Sequence, residues 1–568
     1  MQTSSRRAFT CLRCRLAVTA VRATAAVSPR RALHVSPRLS SHQPGQQPGA
    51  SAASSPEGPA PPAPAPALAP APTTPFHGVV RPTTAPKPSI DIKHIRQNPD
   101  LYEQTCRERN YHAQAAYPAR IISLHDQWQT RQRQGRALRE RSNLLRRHIA
   151  NPAASRHDDD DHDPSAAQRS LGSMTRDELL AEARQLKTQL SSIEDDEGRL
   201  QADMQALALA LPNLTSDATP RGHTPRLLSY INDHPEPTPE SSDRVWRSHV
   251  HIGSELGILD FAGAATASGW GWYYLLHEAA QLEQALIAYA LATATRAGWG
   301  QVSPPSMVYS HIAAACGFQP RDDKANGGEP TQIYSIAQSA SDRDRGRPEL
   351  CMAGTAEIPL AGMRADTILE EGELPCRRVA VSRSYRAEAG ARGADTKGLY
   401  RVHEFTKVEL FAWTRPDAAE AEEVFEEMID MQTEILGSLG LHCRVLEMPS
   451  GDLGASAVRK NDIEAWFPSR AKRDTIATSN QGWGEVTSAS ICTDYQTRRL
   501  GTRARLASEG GKLTFPWTVN GTAMAVPRVL AAILESGWDE RDMTVRIPEV
   551  LRPWMDGKEK IGARHRLR

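Results

Sequence analysis

Two long stripes of apolar residues constrain the fold of the N-terminal half more than any other feature. Downstream, apolar side chains recur every three or four residues, and only Glu197 interrupts them: Leu179, Ala183, Leu186, Leu190, Ile193, Leu200, Met204, Leu207 and Leu211. Upstream, Ile121, Leu124, Trp128, Leu138, Leu145 and Ile149 keep the same spacing, with Arg131, Gly135 and Ser142 as weaker members. This spacing predicts two helices that pack along a shared seam.

The segment between the stripes indicates how the two helices are joined. Residues 151–176 include HDDDDHDPS, which is too acidic and too interrupted by proline to be helical throughout. The stripes therefore predict an antiparallel coiled-coil hairpin with an acidic joint. His157, His162 and the aspartates between them are better interpreted as a solvated loop tip than as a cation site.

The first predicted helix is rich in arginine. Arg131, Arg133, Arg136, Arg139, Arg141, Arg146 and Arg147 lie close together, with Glu140 as the single acid among them. Guanidinium groups can bind phosphate in a bidentate way, so this surface favours contact with RNA. The alternative is an ordinary solvated coiled-coil surface.

The N-terminus has the composition of an import signal. Residues 1–40 are rich in arginine, serine and alanine, and the first acid is Glu57. This composition predicts a mitochondrial presequence over 1–40 and a location in the mitochondrial matrix. Residues 41–88, with PAPPAPAPALAPAP, predict a disordered Pro/Ala-rich linker. Arginines interrupt every apolar run, and no membrane partner is expected.

The cysteine spacing and the charge balance limit which metal sites, disulfides and partners can be expected. Cys11 and Cys14 form a CxxC inside the predicted presequence, and the other six cysteines have no ligand spacing, so neither zinc nor a disulfide framework is expected. The net charge is +1, but residues 1–56 contribute eight arginines and no acid, which leaves −7 for the remainder. A polyanionic partner must therefore bind a local basic surface.

Beyond Pro212 the sequence contains both predicted strands and predicted helices. Predicted strands are VSPPSMV (302–308), RRVAVS (377–382) and KVELFAW (407–413), and predicted helices are LEQALIAYALATAT (282–295) and DAAEAEEVFEEMIDMQTEILGSL (417–439). Neither GxGxxG nor a Walker A loop is present. A nucleotide site must therefore be built from side chains.

The segment YRAEAGARGADTKGLYRVHEFTKVE concentrates charge around a glycine-rich centre. It predicts a strand ending at Glu388, a loop over 390–398 and a returning strand through Glu409. This arrangement brings Arg386, Glu388, Phe405 and Glu409 to one sheet face, where arginine suits phosphate and a carboxylate suits an amine or a metal. The alternative is a surface hairpin with charge pairs.

This segment resembles motif 2 of the class II aminoacyl-tRNA synthetases, specifically the seryl-tRNA synthetase family. TAEIPL (355–360), GEVTSASICTDYQTRRLGTR (484–503) and VNGTAMAVPRVLAAILES (519–536) resemble further family motifs in the family's order. The resemblance covers about residues 89–563. It implies an α+β fold with a helical coiled-coil tRNA-binding domain over 89–215. It also implies a class II catalytic domain over 225–568, formed by an antiparallel sheet flanked by helices. VSPPSMV resembles motif 1, which implies a homodimer.

The resemblance also implies the activity and its ligands. The reaction is ATP-dependent ligation of L-serine to tRNA(Ser) through a seryl-adenylate, with Mg²⁺ as cofactor. Catalytic roles fall to Arg386, Glu388 and Arg528. Implied ATP-binding residues are Arg386, Ala387, Glu388, Val402, His403, Glu404, Phe405, Glu485, Val486, Thr487, Ser488 and Arg528, of which Glu485 and Ser488 would hold the metal.

Serine recognition is implied for Thr355, Ala356, Glu357, Arg386, Glu409 and Thr522. Thr522, Pro527 and Tyr385 depart from the residues common in the family, but none of them removes a charged group. Contact with tRNA is implied for Arg131, Arg133, Arg136, Arg139, Arg146 and Arg147. His403 is as compatible with ordinary packing as with a ligand role.

Two other functions fit the same fold. A non-catalytic relative would retain tRNA binding and would lack a motif arginine or a metal-holding acid. A ligase for another small amino acid would differ in the side-chain pocket. Arg386, Glu388, Glu409, Glu485 and Arg528 are all present, so the sequence favours an active mitochondrial serine–tRNA ligase.

Overall fold

The computed structural model describes residues 85–150, 174–232, 247–318, 333–387, 398–470 and 482–562. Several predicted features lie outside these ranges: the presequence with Cys11 and Cys14, nearly all of the linker, the acidic segment 157–163, and Glu388.

Thirteen α-helices are present in the described ranges. They are α1 Ile92–Gln97, α2 Pro99–Glu108, α3 Tyr117–Ala150, α4 Arg176–Ala210, α5 His249–Glu255, α6 Phe261–Ser268, α7 Glu278–Arg296, α8 Ser310–Ala315, α9 Ala340–Asp344, α10 Glu357–Gly362, α11 Ala418–Ser438, α12 Tyr495–Leu500 and α13 Val526–Gly537.

The strands form one large sheet and several small ones. They are β1 Arg226–Ile231, β2 Leu259–Asp260, β3 Tyr274–Leu275, β4 Gly300–Val302, β5 Met307–Tyr309, β6 Leu350–Met352, β7 Ile368–Glu370, β8 Cys376–Tyr385, β9 Glu404–Thr414, β10 Cys443–Glu447, β11 Arg459–Trp466, β12 Trp483–Thr493, β13 Arg503–Leu506, β14 Lys512–Thr514, β15 Trp517–Ala525, β16 Trp538–Asp539, β17 Thr544–Arg546 and β18 Lys560–Gly562.

Helices α3 and α4 form the predicted hairpin, which we call the arm. They pack against each other along their length, and the buried seam includes Leu145 and Leu186. Glu197, which interrupts the apolar stripe, is also buried in this seam and accepts hydrogen bonds from Gln132 and Arg139. A buried carboxylate is tolerated only when it is paired, and the two donors from α3 provide that pairing.

The base of the arm joins the rest of the molecule through a mixed core. Ile121 and Leu207 from the arm pack in one buried cluster with Tyr111, Ala455 and Tyr495. Arg109, fully buried beside this cluster, donates hydrogen bonds to the carbonyl oxygens of Asn213, Gly454 and Ala457. The N-terminal helices are therefore anchored directly to a loop of the C-terminal part.

The central sheet has eight strands in the order β1-β10-β11-β12-β15-β9-β8-β4. Every neighbouring pair is antiparallel except β4 and β8, which are parallel. Helices α7, α11 and α13 cover one face, where alternate apolar residues such as Val408 and Leu410 enter the largest core cluster. The predicted α+β fold with an antiparallel sheet flanked by helices is confirmed.

Some predicted element boundaries are wrong. VSPPSMV is not one strand, because Pro304 and Pro305 lack backbone donors and separate β4 from β5. The strand predicted to end at Glu388 ends at Tyr385, and a single further ladder bond joins Arg386 N to the His403 carbonyl. The predicted helices at 282–295 and 417–439 are present as α7 and α11, with Asp417 capping α11.

Six cysteines fall within the described ranges, and all six are buried free thiols. None of the described helices is both long enough and apolar enough to cross a membrane.

Candidate active site

A polar cavity of about 670 Å³ opens on the face of the sheet opposite the three helices. Its lining includes eight charged or polar side chains from the central strands and the segments beside them: Thr355, Glu357, Arg386, Lys407, Glu409, Glu485, Ser488 and Thr522. Seven of these eight are predicted serine- or ATP-binding residues, and Glu485 and Ser488 are also the predicted metal ligands. Only Lys407 was not predicted.

Strand periodicity explains most of this convergence. On β9, Lys407 and Glu409 point to the cavity face, while Val408 and Leu410 enter the apolar core behind the sheet. The register places Thr522 of β15 beside Glu409.

A bulge brings Glu485 and Ser488 to the same cavity. Residues three apart on a regular strand face opposite sides of a sheet. In β12 the register slips by one residue, because Ile463 pairs with Thr487 whereas Glu464 pairs with Glu485. The extra residue returns Ser488 to the side of Glu485, so both side chains line the cavity.

Glu409 lies at the centre of a hydrogen-bonded group. Its side chain is 2% exposed and forms an ion pair of 2.7 Å with Lys407 Nζ. The hydroxyl of Thr522 donates to the same carboxylate oxygen, Glu409 Oε2, at 3.3 Å. Because the carboxylate is desolvated and paired, its position in the cavity is well defined.

Glu357 is a second buried carboxyl in the cavity. Burial raises the pKa of Glu357 to about 7, with a further contribution from the negative charge of Glu409. The positive charge of Lys407, the hydrogen bond donated by Gln496 and the positive charge of Arg386 each lower this pKa. The group therefore changes its ionisation near neutral pH. Thr355 Oγ1 accepts from the backbone N–H of Glu357 at 3.3 Å, which fixes the start of α10.

The pKa of Glu485 is shifted in the opposite direction from that of Glu357. Burial alone would raise the pKa of Glu485, but Arg528, Lys460, Arg386 and Lys407 together lower it to about 2. Arg528 Nη1 lies 3.4 Å from Glu485 Oε1, and the glutamate side chain retains 41% exposure. The cavity thus contains a partly exposed carboxylate whose pKa these cations hold well below its usual range.

These residues are compatible with a magnesium ion that is shared with a phosphate ligand. Mg²⁺ keeps several waters and is commonly held by one or two carboxylates together with substrate phosphates. The ionised carboxylate of Glu485 and the hydroxyl of Ser488 suit that mode. A site formed by three or more His, Cys, Asp or Glu side chains is absent from the described part of the chain.

Arg386 and Phe405 are stacked at the cavity wall. The guanidinium carbon of Arg386 lies 5.3 Å from the ring centroid of Phe405, and Nε donates to the Gly354 carbonyl at 3.4 Å. Stacking on an aromatic face restricts the orientation of the guanidinium, which lines the cavity.

Arg528 is fixed in a similar way. It donates to the carbonyl oxygens of Tyr400 at 3.1 Å and Glu485 at 3.0 Å, and its guanidinium carbon lies 4.6 Å from the Tyr400 ring centroid. It does not line the cavity directly, but it pairs with Glu485, which does.

Several predicted site residues do not line the cavity. Ala356, Val402, Val486 and Thr487 are buried in the surrounding structure. Glu404 is paired with Arg383 at 2.8 Å, and Ala387 ends a described range without lining the cavity.

The ring of His403 belongs to an aromatic cluster. Its Nδ1 lies 2.8 Å from the Tyr334 hydroxyl and 3.1 Å from the Arg386 carbonyl oxygen, and the ring stacks on Trp272. The ring thus packs beside the backbone of Arg386. This placement agrees with the packing alternative for His403.

Several polar residues of this region were not predicted from the sequence. Lys407 and Lys460 supply positive charge, and Asn520 lines the wall beside Thr522. The alternation of polar and apolar residues in TKVELF could have identified Lys407. Asn110 and Tyr111 come from the N-terminal domain, and no local signal marks them as cavity residues.

The arginines of the arm do not form one uniform face. Arg139 pairs with Glu197 at 3.0 Å, Arg131 with Asp196 at 3.3 Å, and Arg141 with Glu182 at 2.8 Å, so these three bridge the two helices. Four predicted tRNA contacts remain exposed along α3: Arg133, Arg136, Arg146 and Arg147. The register of the hairpin brings acids of α4 opposite the first group.

Comparison with family models identifies both parts of the chain. Residues 90–215 match the seryl-tRNA synthetase N-terminal domain, and residues 336–537 match the tRNA synthetase class II core domain (G, H, P, S and T).

Individual proteins of known name are also similar to this chain. The mitochondrial serine–tRNA ligase of Saccharomyces cerevisiae is 42% identical over 68% of this chain and 80% of its own length. The serine–tRNA ligase of Rubrobacter xylanophilus is 35% identical over 84% of this chain and its whole length. The crystal structure of seryl-tRNA synthetase from Pyrococcus horikoshii complexed with ATP matches with a TM-score of 0.69 and 31% identity, and it covers 84% of this chain and all of that one.

Proposed function

Because this chain belongs to the seryl-tRNA synthetase family of class II aminoacyl-tRNA synthetases, we propose that its polar cavity is where ATP activates L-serine. The enzyme is a serine–tRNA ligase that acts on tRNA(Ser) through a seryl-adenylate. The observation that carries the assignment of the site is the convergence of Arg386, Glu409 and Glu485 on one cavity. A non-catalytic relative is disfavoured because these charges converge on the cavity.

The charges suit the first reaction step. A serine carboxylate oxygen attacks the α-phosphate of ATP, a new P–O bond forms, and the bond to pyrophosphate breaks. Negative charge is redistributed over phosphate oxygens, so fixed cations and correct positioning supply most of the catalysis. Arg386 is placed to bridge the α-phosphate and the carboxylate, with the adenine on Phe405. Arg528 is placed to bind the triphosphate.

Magnesium would be held by Glu485 and Ser488, where it would neutralise phosphate charge and orient the triphosphate. Glu388 is proposed to help hold the nucleotide in the cavity. In the second step, a hydroxyl of the terminal tRNA ribose attacks the adenylate carbonyl and releases AMP.

Serine recognition is assigned to the deep, acidic end of the cavity. Glu357, in its ionised form, suits the serine ammonium, and its backbone N–H donates to the hydroxyl of Thr355. Glu409 and Thr522 are positioned for the serine hydroxyl. Alanine would deprive these buried groups of the hydrogen bonds to the serine hydroxyl, which penalises it far more than the loss of one methylene-sized contact.

Replacing Thr522 by valine tests the hydroxyl site. Valine keeps the shape of the side chain but removes the donor to Glu409, so kcat/KM for serine should fall about ten-fold. The KM for ATP should stay within a factor of two. Steady-state ATP–pyrophosphate exchange measures both values. An unchanged preference for serine over alanine would remove Thr522 from the serine site.

The arm is the proposed tRNA-binding surface. Replacing Arg133, Arg136, Arg146 and Arg147 together by serine should raise the KM for tRNA. The slope of the logarithm of the binding constant against the logarithm of the salt concentration should become shallower by about 0.7–0.9 for each lost phosphate contact. Serine activation without tRNA should not change. The matched control removes four exposed arginines away from the arm: Arg343, Arg345, Arg541 and Arg546. Equal losses in both quadruple variants would contradict a specific role for the arm.

The cellular and quaternary context follows from the family and the N-terminal composition. The enzyme serves mitochondrial translation, as the mitochondrial relatives support, and residues 1–40 are the proposed presequence for import into the matrix. A homodimer formed through the region of β5, which resembles motif 1, is likewise a proposal.

A further inference from the structure

Helix α12 connects the predicted serine pocket to the base of the arm. It is six residues long, Tyr495–Leu500, and none of its side chains belongs to the predicted site. Gln496 faces the cavity side of this helix, and Arg499 faces the arm. Both side chains are buried.

The amide of Gln496 is directed at Glu357. Its Nε2 donates to Glu357 Oε1 at 2.6 Å, and the Gln496 side chain has no solvent exposure. Its other polar atom, Oε1, is buried and has no hydrogen-bond partner among the residues that the structure describes. An unpaired buried amide oxygen is costly, so the position of this side chain needs a compensating reason. Orientation of the neighbouring carboxylate provides one.

The rest of α12 holds Gln496 rigidly. Arg499 donates to the carbonyl oxygens of Leu209 and Leu211, at 3.3 and 3.2 Å, where α4 ends. Thr497 donates to the Pro516 carbonyl at 2.8 Å. A helix this short is not stable by itself, so these contacts determine where it lies.

We propose that Gln496 is a positioning residue for serine selection, because its amide holds the Glu357 carboxylate in the orientation that receives the serine ammonium. The inference rests on the proposed role of Glu357 in serine binding. Gln496 acts through Glu357 and does not itself contact the substrate.

The ionisation of Glu357 gives this role a distinctive signature. The charged and titratable groups that face Glu357 are Glu409 and Lys407 from β9, Arg386 after β8, Cys316 at the end of α8, and Cys492 of β12. Burial and Glu409 raise the pKa of Glu357, whereas the Gln496 amide is one of the groups that lower it. Removing the amide therefore raises this pKa further, and less Glu357 is ionised at neutral pH.

The test uses ATP–pyrophosphate exchange by the full chain with four proteins: wild type, Gln496→Met, Glu357→Gln and the double variant. For Gln496→Met, the KM for serine should rise about ten-fold or more, while the KM for ATP stays within a factor of two. The acidic limb of kcat/KM for serine should move to higher pH. In the Glu357→Gln background, Gln496→Met should add at most a two-fold effect.

Other outcomes separate the inference from the proposed function. An unchanged serine KM and pH profile in Gln496→Met, or an equal effect without Glu357, overturns the positioning role. A wild-type enzyme without serine-dependent exchange overturns the proposed function itself. If thermal unfolding shows that the methionine variant is not folded, Gln496→Asn, which shortens the amide and withdraws the donor, should give the same rise in serine KM, and an unchanged KM there also overturns the role.

Discussion

Replacing Arg386 by alanine is expected to reduce serine-dependent ATP–pyrophosphate exchange by about 10³-fold. The guanidinium is stacked on Phe405 and lines the cavity, so it is fixed before the substrates bind. A fixed cation stabilises the charge that develops on the α-phosphate without a reorganisation cost, and bulk water cannot substitute for it. The loss should appear mainly in kcat, because the interaction strengthens in the transition state.

The control for this variant is Arg378→Ala. Arg378 lies on β8, the strand that leads into Arg386, but it donates to the Arg377 carbonyl and does not line the cavity. This variant should keep activity within about three-fold, as expected for a partly exposed residue away from the reaction. Similar losses in the two variants would indicate damage to β8 and not the loss of a catalytic group.

Replacing Glu485 by glutamine should cause the second large loss, about 10²-fold or more in exchange. The substitution conserves shape but removes an anion whose pKa, near 2, keeps it charged at every working pH. Arg528 would then lose its carboxylate partner, and the cavity would lose its accessible carboxylate. The magnesium concentration needed for half-maximal exchange should rise.

A neighbouring strand offers a matched control. Glu464 on β11 pairs in register with Glu485 and is bonded to Arg444, but it does not line the cavity. Glu464→Gln should leave the magnesium dependence unchanged. If Glu485→Gln has wild-type activity with the same magnesium dependence, Glu485 is not a metal ligand.

The sequence predicted the arm well because its signal is local and repeated. Apolar spacing located both helices, and even the exception at Glu197 occupies the seam, where donors from α3 satisfy it. The split among the arginines could not be predicted in the same way. It depends on which acids of α4 lie opposite each arginine, and therefore on the register of the hairpin.

The active site also combines features that the sequence predicts with features that it does not. Strand alternation and the motifs predicted that Arg386 and Glu409 lie close together, and both residues line the cavity. The shared location of Glu485 and Ser488 depends on a bulge, which shifts the periodicity by one residue and has no clear sequence signature. The entry of Tyr111 into the cavity wall depends on docking between segments more than 300 residues apart, such as Arg109 with Ala457.

The most direct test of the central claim is ATP–pyrophosphate exchange by the purified protein with serine, alanine, threonine and glycine as alternative substrates. The cavity described here predicts exchange that depends on serine, with alanine at least about 10³-fold poorer in kcat/KM, since alanine leaves Glu409 and Thr522 without a hydroxyl partner. Folded protein that binds tRNA but shows no exchange with serine, or that uses alanine equally well, would contradict the assignment of this cavity as a serine-activating site.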